Sequence, residues 1–175
     1  KNNFQFHSPQ MNARLAEHVA LERALRQAVE RDEFLIHYQP QVEISSGRVI
    51  GAEALLRWNR PGAGMMAPDK FIPLAEETGL IVPIGRIVLQ QACTEARRWQ
   101  DAGHHGFRIA VNLSPRQFAQ SELVADVRQI LNDTGLAPEN LELEITESME
   151  MDTPERAAAI LRGLRAAGVP RCTPA

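Results

Sequence analysis

Cysteine is scarce in this chain. Cys93 and Cys172 are the two present, far apart and in no CxxC pattern. That argues against a disulfide scaffold or a zinc site and points to a reducing compartment. Long apolar runs are missing too. The stretch from Gly79 to Ile87 is short and broken by Pro83, whereas a membrane span takes about 20 apolar residues in a row. No direct membrane contact is therefore expected of this segment. Positive charge is not in excess: 19 Lys and Arg against 22 Asp and Glu leave a net charge of −3. A polynucleotide partner, which needs a basic stripe to neutralise phosphates, is excluded on that ground. A small phosphorylated ligand needs only a few local cations or a metal, and stays open. The start, Lys1-Asn2-Asn3-Phe4, has neither a signal peptide nor an initiator Met. A cytoplasmic piece of a longer protein is expected, whether or not the rest of that protein is membrane-anchored. No repeat or low-complexity tract is present.

What is there suffices for one domain with its own core: 175 residues, 44% of them hydrophobic. Residues 1–11 read as a linker or the tail of a preceding domain. An apolar stripe of Leu21, Leu25, Ala28 and Val29 predicts a helix over 12–31. Phe34 to Val42 and Val49 to Trp58, separated by a turn at Gly47, predict a hairpin. Residues 59–67 are a loop. Pro68 opens a short helix through Glu77, and a longer helix spans 82–101. Arg108 to Leu113 is a third strand, ended by Ser114-Pro115. A helix follows over 121–133 with Gly135 behind it, then a fourth strand from Leu141 to Thr146. The last helix starts near Asp152-Thr153-Pro154-Glu155 and closes at Gly168. Strands alternating with helices after an opening hairpin indicate a parallel α/β fold. The expected architecture is TIM-barrel-like, cut to about half a barrel with about four strands, because a full barrel takes about 250 residues.

Alternation along those strands selects the chemistry. On the second strand Glu53, Leu55 and Arg57 share a face. On the third, Ala110 and Asn112 share one. On the fourth, Glu142, Glu144 and Thr146 face away from Leu141, Leu143 and Ile145. The apolar faces pack on helices, so Glu53, Asn112 and Glu144 aim together into a lumen or an open mouth. Two carboxylates and an amide, without His or Cys, suit Mg²⁺ or Mn²⁺. Glu147 lies on the opposite parity to Glu144, which favours a supporting role. His37, His104 and His105 have no spaced partners and read as surface or strand-facing residues. Trp58 and Trp99 read as packing residues, and Arg97-Arg98 as a solvated helix face.

Longer motifs add to this. Tyr38-Gln39-Pro40, Gly51-Ala52-Glu53-Ala54-Leu55-Leu56-Arg57-Trp58, Phe71-Ile72-Pro73-Leu74-Ala75-Glu76, Val111-Asn112-Leu113-Ser114 with Gln117-Phe118, and Leu141-Glu142-Leu143-Glu144-Ile145-Thr146-Glu147-Ser148 occur in this order. In order and spacing the chain resembles the EAL domain family from about residue 20 to residue 169, within a partial domain expected over 12–169. The resemblance implies a TIM-barrel-like, metal-dependent phosphodiesterase that hydrolyses cyclic di-GMP to linear pGpG in bacterial signalling. It implies Glu53, Asn112 and Glu144 as metal ligands, with Glu53, Glu144 and Glu147 in the catalytic set. Glu147 corresponds to the anchor of a mobile loop. Arg57 corresponds to a phosphate contact and Gln39 to a residue near the bound nucleotide. Asn3-Phe4-Gln5-Phe6-His7 resembles the junction after a GGDEF domain, which implies one upstream.

The last residues, 170–175, depart from the family. A fifth strand carrying Asp-Asp-Phe-Gly is expected there, and the chain reads Pro170-Arg171-Cys172-Thr173-Pro174-Ala175. Two prolines without alternation predict no strand. The expectation is therefore an incomplete metal site, an inactive fragment of an active parent enzyme, and an open edge on the fourth strand that invites self-association. The alternative is a non-catalytic cyclic di-GMP receptor or protein-interaction module.

Overall fold

A computed structural model describes residues 9–145, 154–169 and 171–174. In chain order the elements are α1 (Pro9–Glu30), β1 (Phe34–Val42), β2 (Val49–Arg60), β3 (Gly64–Met66), α2 (Ile72–Thr78), α3 (Ile81–Asp101), β4 (Arg108–Leu113), α4 (Pro115–Phe118), α5 (Leu123–Thr134), β5 (Leu141–Ile145), α6 (Pro154–Ala166) and β6 (Arg171–Pro174). Short 3-10 turns cover Pro68–Lys70 and Pro138–Asn140. The strands form one six-stranded sheet in the order β1, β2, β4, β5, β6, with β3 paired to β2. The short turn at Gly47 allows only an antiparallel β1–β2 pair. The β2–β4, β4–β5 and β5–β6 pairs are parallel, each bridged by helical segments.

One face of the sheet is apolar and buried: Ala52, Ala54, Ile109, Val111, Leu141, Leu143 and Ile145. Ile84, Val88, Ala92 and Ala96 of α3 recur every four residues and join the same core. Val127, Ile130 and Leu131 of α5, and Ile160 and Leu164 of α6, extend it. Trp58 is fully buried among Phe34 and Phe71. Its indole N–H donates to Glu33 Oε2 at 3.0 Å, which satisfies a polar group that burial would otherwise penalise. Trp99 packs edge-on against Tyr38 and Phe107. Arg97 and Arg98 pair with Asp101 and Glu95 on the exposed side of α3.

The structure departs from the sequence reading in several places. α1 begins at Pro9, within the stretch expected to be linker, because proline is well suited to a helix's first turn. The single helix expected from Pro68 is a 3-10 turn and then α2, with Phe71 between them buried beside Trp58. The loop at 59–67 contains β3, which continues β2 through a tight reversal. Ser114-Pro115 ends β4 and also starts α4. The largest correction is at the tail. Arg171–Pro174 forms β6, parallel to β5, with Glu144 opposite Thr173 and Ile145 opposite Pro174. Proline is tolerated in a short edge strand, and Pro174 is the last residue of this one. The edge of β5 is therefore covered, and the outer edge of the sheet on this side passes from β5 to β6.

Candidate functional site

The second face of the sheet carries the polar residues. In the β1–β2 register Gln39 stands opposite Glu53. Glu53 is beside Ala110, and Ala110 beside Glu142. One pleat further on, Asn112 is beside Glu144. Asn112 Nδ2 donates to Glu53 Oε1 at 2.7 Å, across the diagonal between β2 and β4. The Glu144 carboxyl is held above the usual carboxylate range, first by its partial burial, then by the charges of Glu53 and Glu142. Glu53, Asn112 and Glu144 thus meet on one face, near the C-terminal ends of β4 and β5.

Two further residues singled out in the sequence lie on β1 and β2. Gln39 is exposed on β1, directly across from Glu53. Arg57 has the parity of Glu53 but sits four residues along β2, roughly 13 Å at the rise of an extended strand. Its guanidinium is turned to its own strand, where Nη1 donates to the Leu56 carbonyl at 2.8 Å. Glu147 and Thr146 lie outside the described residues.

The donor set fits a hard cation. Among the described residues no three His, Cys, Asp or Glu side chains gather into a metal-holding cluster. The grouping here is two carboxylates with an amide. Because Asn112 commits its Nδ2 to Glu53, its Oδ1 is left as the acceptor to turn outward. Oxygen donors of this kind match Mg²⁺ or Mn²⁺ and are poor ligands for a soft ion.

A cavity of about 480 Å³ opens between α3 and the strands β2 and β4, lined in part by Ala54, Leu55, Ile72, Ile84, Asn112 and Gln117. Its walls are mostly apolar, with polar groups at the Asn112 side.

The sequence reading left three residues without a role. Glu142 was placed on the polar face by parity but given no role, and its charge raises the Glu144 pKa. Ser114 and Gln117 were quoted as a motif without a function. The Ser-x-x-Gln spacing is the signal of a capping box, and the box forms here.

Known proteins resemble this chain in sequence and in fold. The family model described as EAL domain matches residues 22–170. The bifunctional diguanylate cyclase/cyclic di-GMP phosphodiesterase MucR of Pseudomonas aeruginosa is 47% identical over 169 residues, covering 97% of this chain and 25% of that protein. The cyclic di-GMP phosphodiesterase NbdA of the same organism is 40% identical, covering 97% of this chain and 22% of that one. The chain thus spans about a quarter of the length of these curated relatives. Among solved structures, the PaMucR phosphodiesterase in complex with c-di-GMP superposes with a TM-score of 0.82 at 49% identity, over 86% of this chain and 61% of that one. The Xanthomonas citri FimX EAL domain in complex with c-diGMP gives 0.79 at 29% identity, over 90% and 60%.

Proposed function

The chain belongs to the EAL domain family, and from that membership we propose that it is part of a bacterial cyclic di-GMP phosphodiesterase yielding linear pGpG. The observation that carries the reading is the meeting of Glu53, Asn112 and Glu144 on one sheet face. Their chemistry suits a phosphodiester substrate. Glu53, Asn112 and Glu144 would hold Mg²⁺ or Mn²⁺, which when bound neutralises phosphate charge and makes water a better nucleophile.

The chain's own residues prepare that site. Asn112 fixes one oxygen of the Glu53 carboxylate and leaves the second free to bind. Glu144 keeps its proton more readily than an ordinary carboxylic acid, and it must release it for the donor set to accept a cation. With Glu53 and Glu142 on the same face, the carboxylates repel one another, and a bound cation offsets that repulsion. Arg57 would leave the Leu56 carbonyl and offer its fork of N–H donors to a substrate phosphate. Gln39, across from Glu53, is placed to contact a nucleotide. The apolar cavity beside Asn112 is large enough for a purine. By family resemblance Glu147 anchors a loop over the site.

This 175-residue chain by itself is proposed to lack turnover. Mg²⁺ keeps several of its roughly six ligands as water, so three side-chain oxygens are enough to bind it, and binding without efficient chemistry is the expectation for this chain. An upstream GGDEF domain in the parent protein is in keeping with the bifunctional relative. The test is incubation of the parent protein and of this chain with cyclic di-GMP and Mg²⁺ or Mn²⁺, with linear product followed by chromatography. Product from the parent that disappears in Glu53→Gln supports the reading. A parent that binds cyclic di-GMP without hydrolysing it would establish the receptor alternative instead.

A further inference from the structure

The turn that follows Asn112 is held more firmly than its length requires. Leu113 ends β4, Ser114 caps α4, and Gln117 is 6% exposed, the one buried polar side chain among the described residues. The Ser114 N–H donates to Gln117 Oε1 at 3.1 Å, and the Gln117 N–H donates to Ser114 Oγ at 3.2 Å. Helix α4 has only four residues, so it contributes little helical stability of its own. A surface Ser-x-x-Gln box could cap it without burying the amide. Here the amide is inserted against α3 at Gly85, where an added Cβ would overlap the Gln117 side-chain amide itself. The neighbouring Arg116 donates to the carbonyls of Glu76 and Glu77 at the end of α2. The segment after Asn112 is thus tied to α3 through Gln117 and to α2 through Arg116. Asn112 and Gln117 line the same cavity.

Resting on the metal site proposed above, we propose that Gln117, seated in the space left by Gly85, is a positioning residue that sets the end of β4 so that Asn112 presents its amide to Glu53 and to a bound cation. Asn112 is exposed and makes its bond to Glu53 across a strand diagonal. Its backbone is held beside Glu144 in the β4–β5 ladder, and β4 ends one residue later at Leu113. The buried capping box two residues on fixes where the strand ends and so where Asn112 stands, acting through the backbone toward the same end as the outer partners of metal ligands.

The experiment uses the full chain, Mn²⁺ as the probe, free Mn²⁺ read by electron paramagnetic resonance, and thermal melting in parallel. Gln117→Met keeps the length and removes the acceptor; Mn²⁺ affinity is expected to fall about tenfold, as for loss of an outer metal-site partner. Gln117→Glu retains an acceptor for the Ser114 N–H and is expected to bind Mn²⁺ close to the parent level. Gly85→Ala displaces the amide and is expected to lower both melting temperature and affinity. Adding Gln117→Ala to Gly85→Ala removes the clash, so melting recovers and affinity does not. This split separates positioning from plain stability, and it decides the matter if Gln117→Met fails to fold. Parent-like Mn²⁺ binding by Gln117→Met or by the double variant overturns the inference. Glu53→Gln is the control. If it weakens Mn²⁺ binding and the Gln117 variants do not, only the inference falls. If Glu53→Gln also binds like the parent, the metal site falls and the inference with it.

Discussion

Asn112 and Glu53 are 59 residues apart in sequence, and the side-chain amide of one donates to the carboxylate of the other at 2.7 Å. Neither β2 nor β4 makes this pair alone. It exists because β2 and β4 are parallel neighbours in a fixed register, with Glu53 beside Ala110 and Asn112 one pleat beyond. The bond leaves one Glu53 oxygen and the Asn112 carbonyl oxygen as acceptors on a face shared with Glu144.

Replacing Glu53 with Gln is expected to preserve the fold, since an amide oxygen still accepts from Asn112. It is expected to lower the phosphodiesterase rate of the parent protein by about 100-fold or more, the scale for loss of a principal electrostatic contact. Steady-state kinetics beside a circular dichroism melt checks both halves. Undiminished turnover with an unchanged melt would remove Glu53 from the site.

The raised pKa of Glu144 has a definite sign. The folded protein holds this proton at pH values where the unfolded chain has released it. Without metal, stability from this group is therefore fully present below the unfolded-state pKa and is lost as pH rises through the folded one. Glu144→Gln is expected to melt higher than the parent above that window, in chelator, and to lose the advantage in acid. Mn²⁺ binding by the parent should weaken in the same acid range, because the donor must be deprotonated. Parallel melting curves for the two proteins at every pH would contradict the assignment.

Trp58 combines complete burial with a hydrogen bond to Glu33 and ring contacts to Phe34 and Phe71. Trp58→Ala is expected to cost about 3 to 5 kcal/mol, the range for removing a large buried aromatic. Trp58→Phe should cost less, keeping most of the packing and losing the indole donor. Urea unfolding followed by circular dichroism measures the ordering. A Trp58→Phe loss equal to that of Trp58→Ala would mean that the hydrogen bond, not the packing, carries the energy.

β6 pairs with β5 and covers its edge. A chain shortened after Val169 is expected to show faster amide exchange in Leu141–Ile145 and association that rises with concentration, because an unpaired edge recruits other chains. Hydrogen exchange and sedimentation across a dilution series test this. Identical exchange in the long and short chains would show that β6 contributes no protection.

Much of this was legible in the sequence because it is local and periodic. Strict alternation over Leu141-Glu142-Leu143-Glu144-Ile145 separates a core face from a polar one whatever the neighbours are. The same argument placed Glu53 with Arg57 and Ala110 with Asn112, and the ordered motifs fixed the family. β6 was missed because Pro170 and Pro174 look like strand breakers when local propensity is the only guide. Edge placement, a property of the sheet and not of the segment, is what tolerates Pro174. Parity puts Arg57 on the face of Glu53; the turn of its guanidinium to the Leu56 carbonyl is a rotamer choice that no period encodes.

The sequence by itself determined which residues share a strand face, that oxygen donors predominate among them, and which family the chain belongs to, because each follows from side-chain chemistry and spacing along one strand. Only the tertiary structure decided that Asn112 reaches Glu53, that Glu144 is raised by its partial burial and then by Glu53 and Glu142, and that Gly85 makes room for Gln117. Those relationships depend on inter-strand register and on a helix packed across the chain. Both are set by the mutual burial of apolar surface from distant segments, and no local pattern contains them.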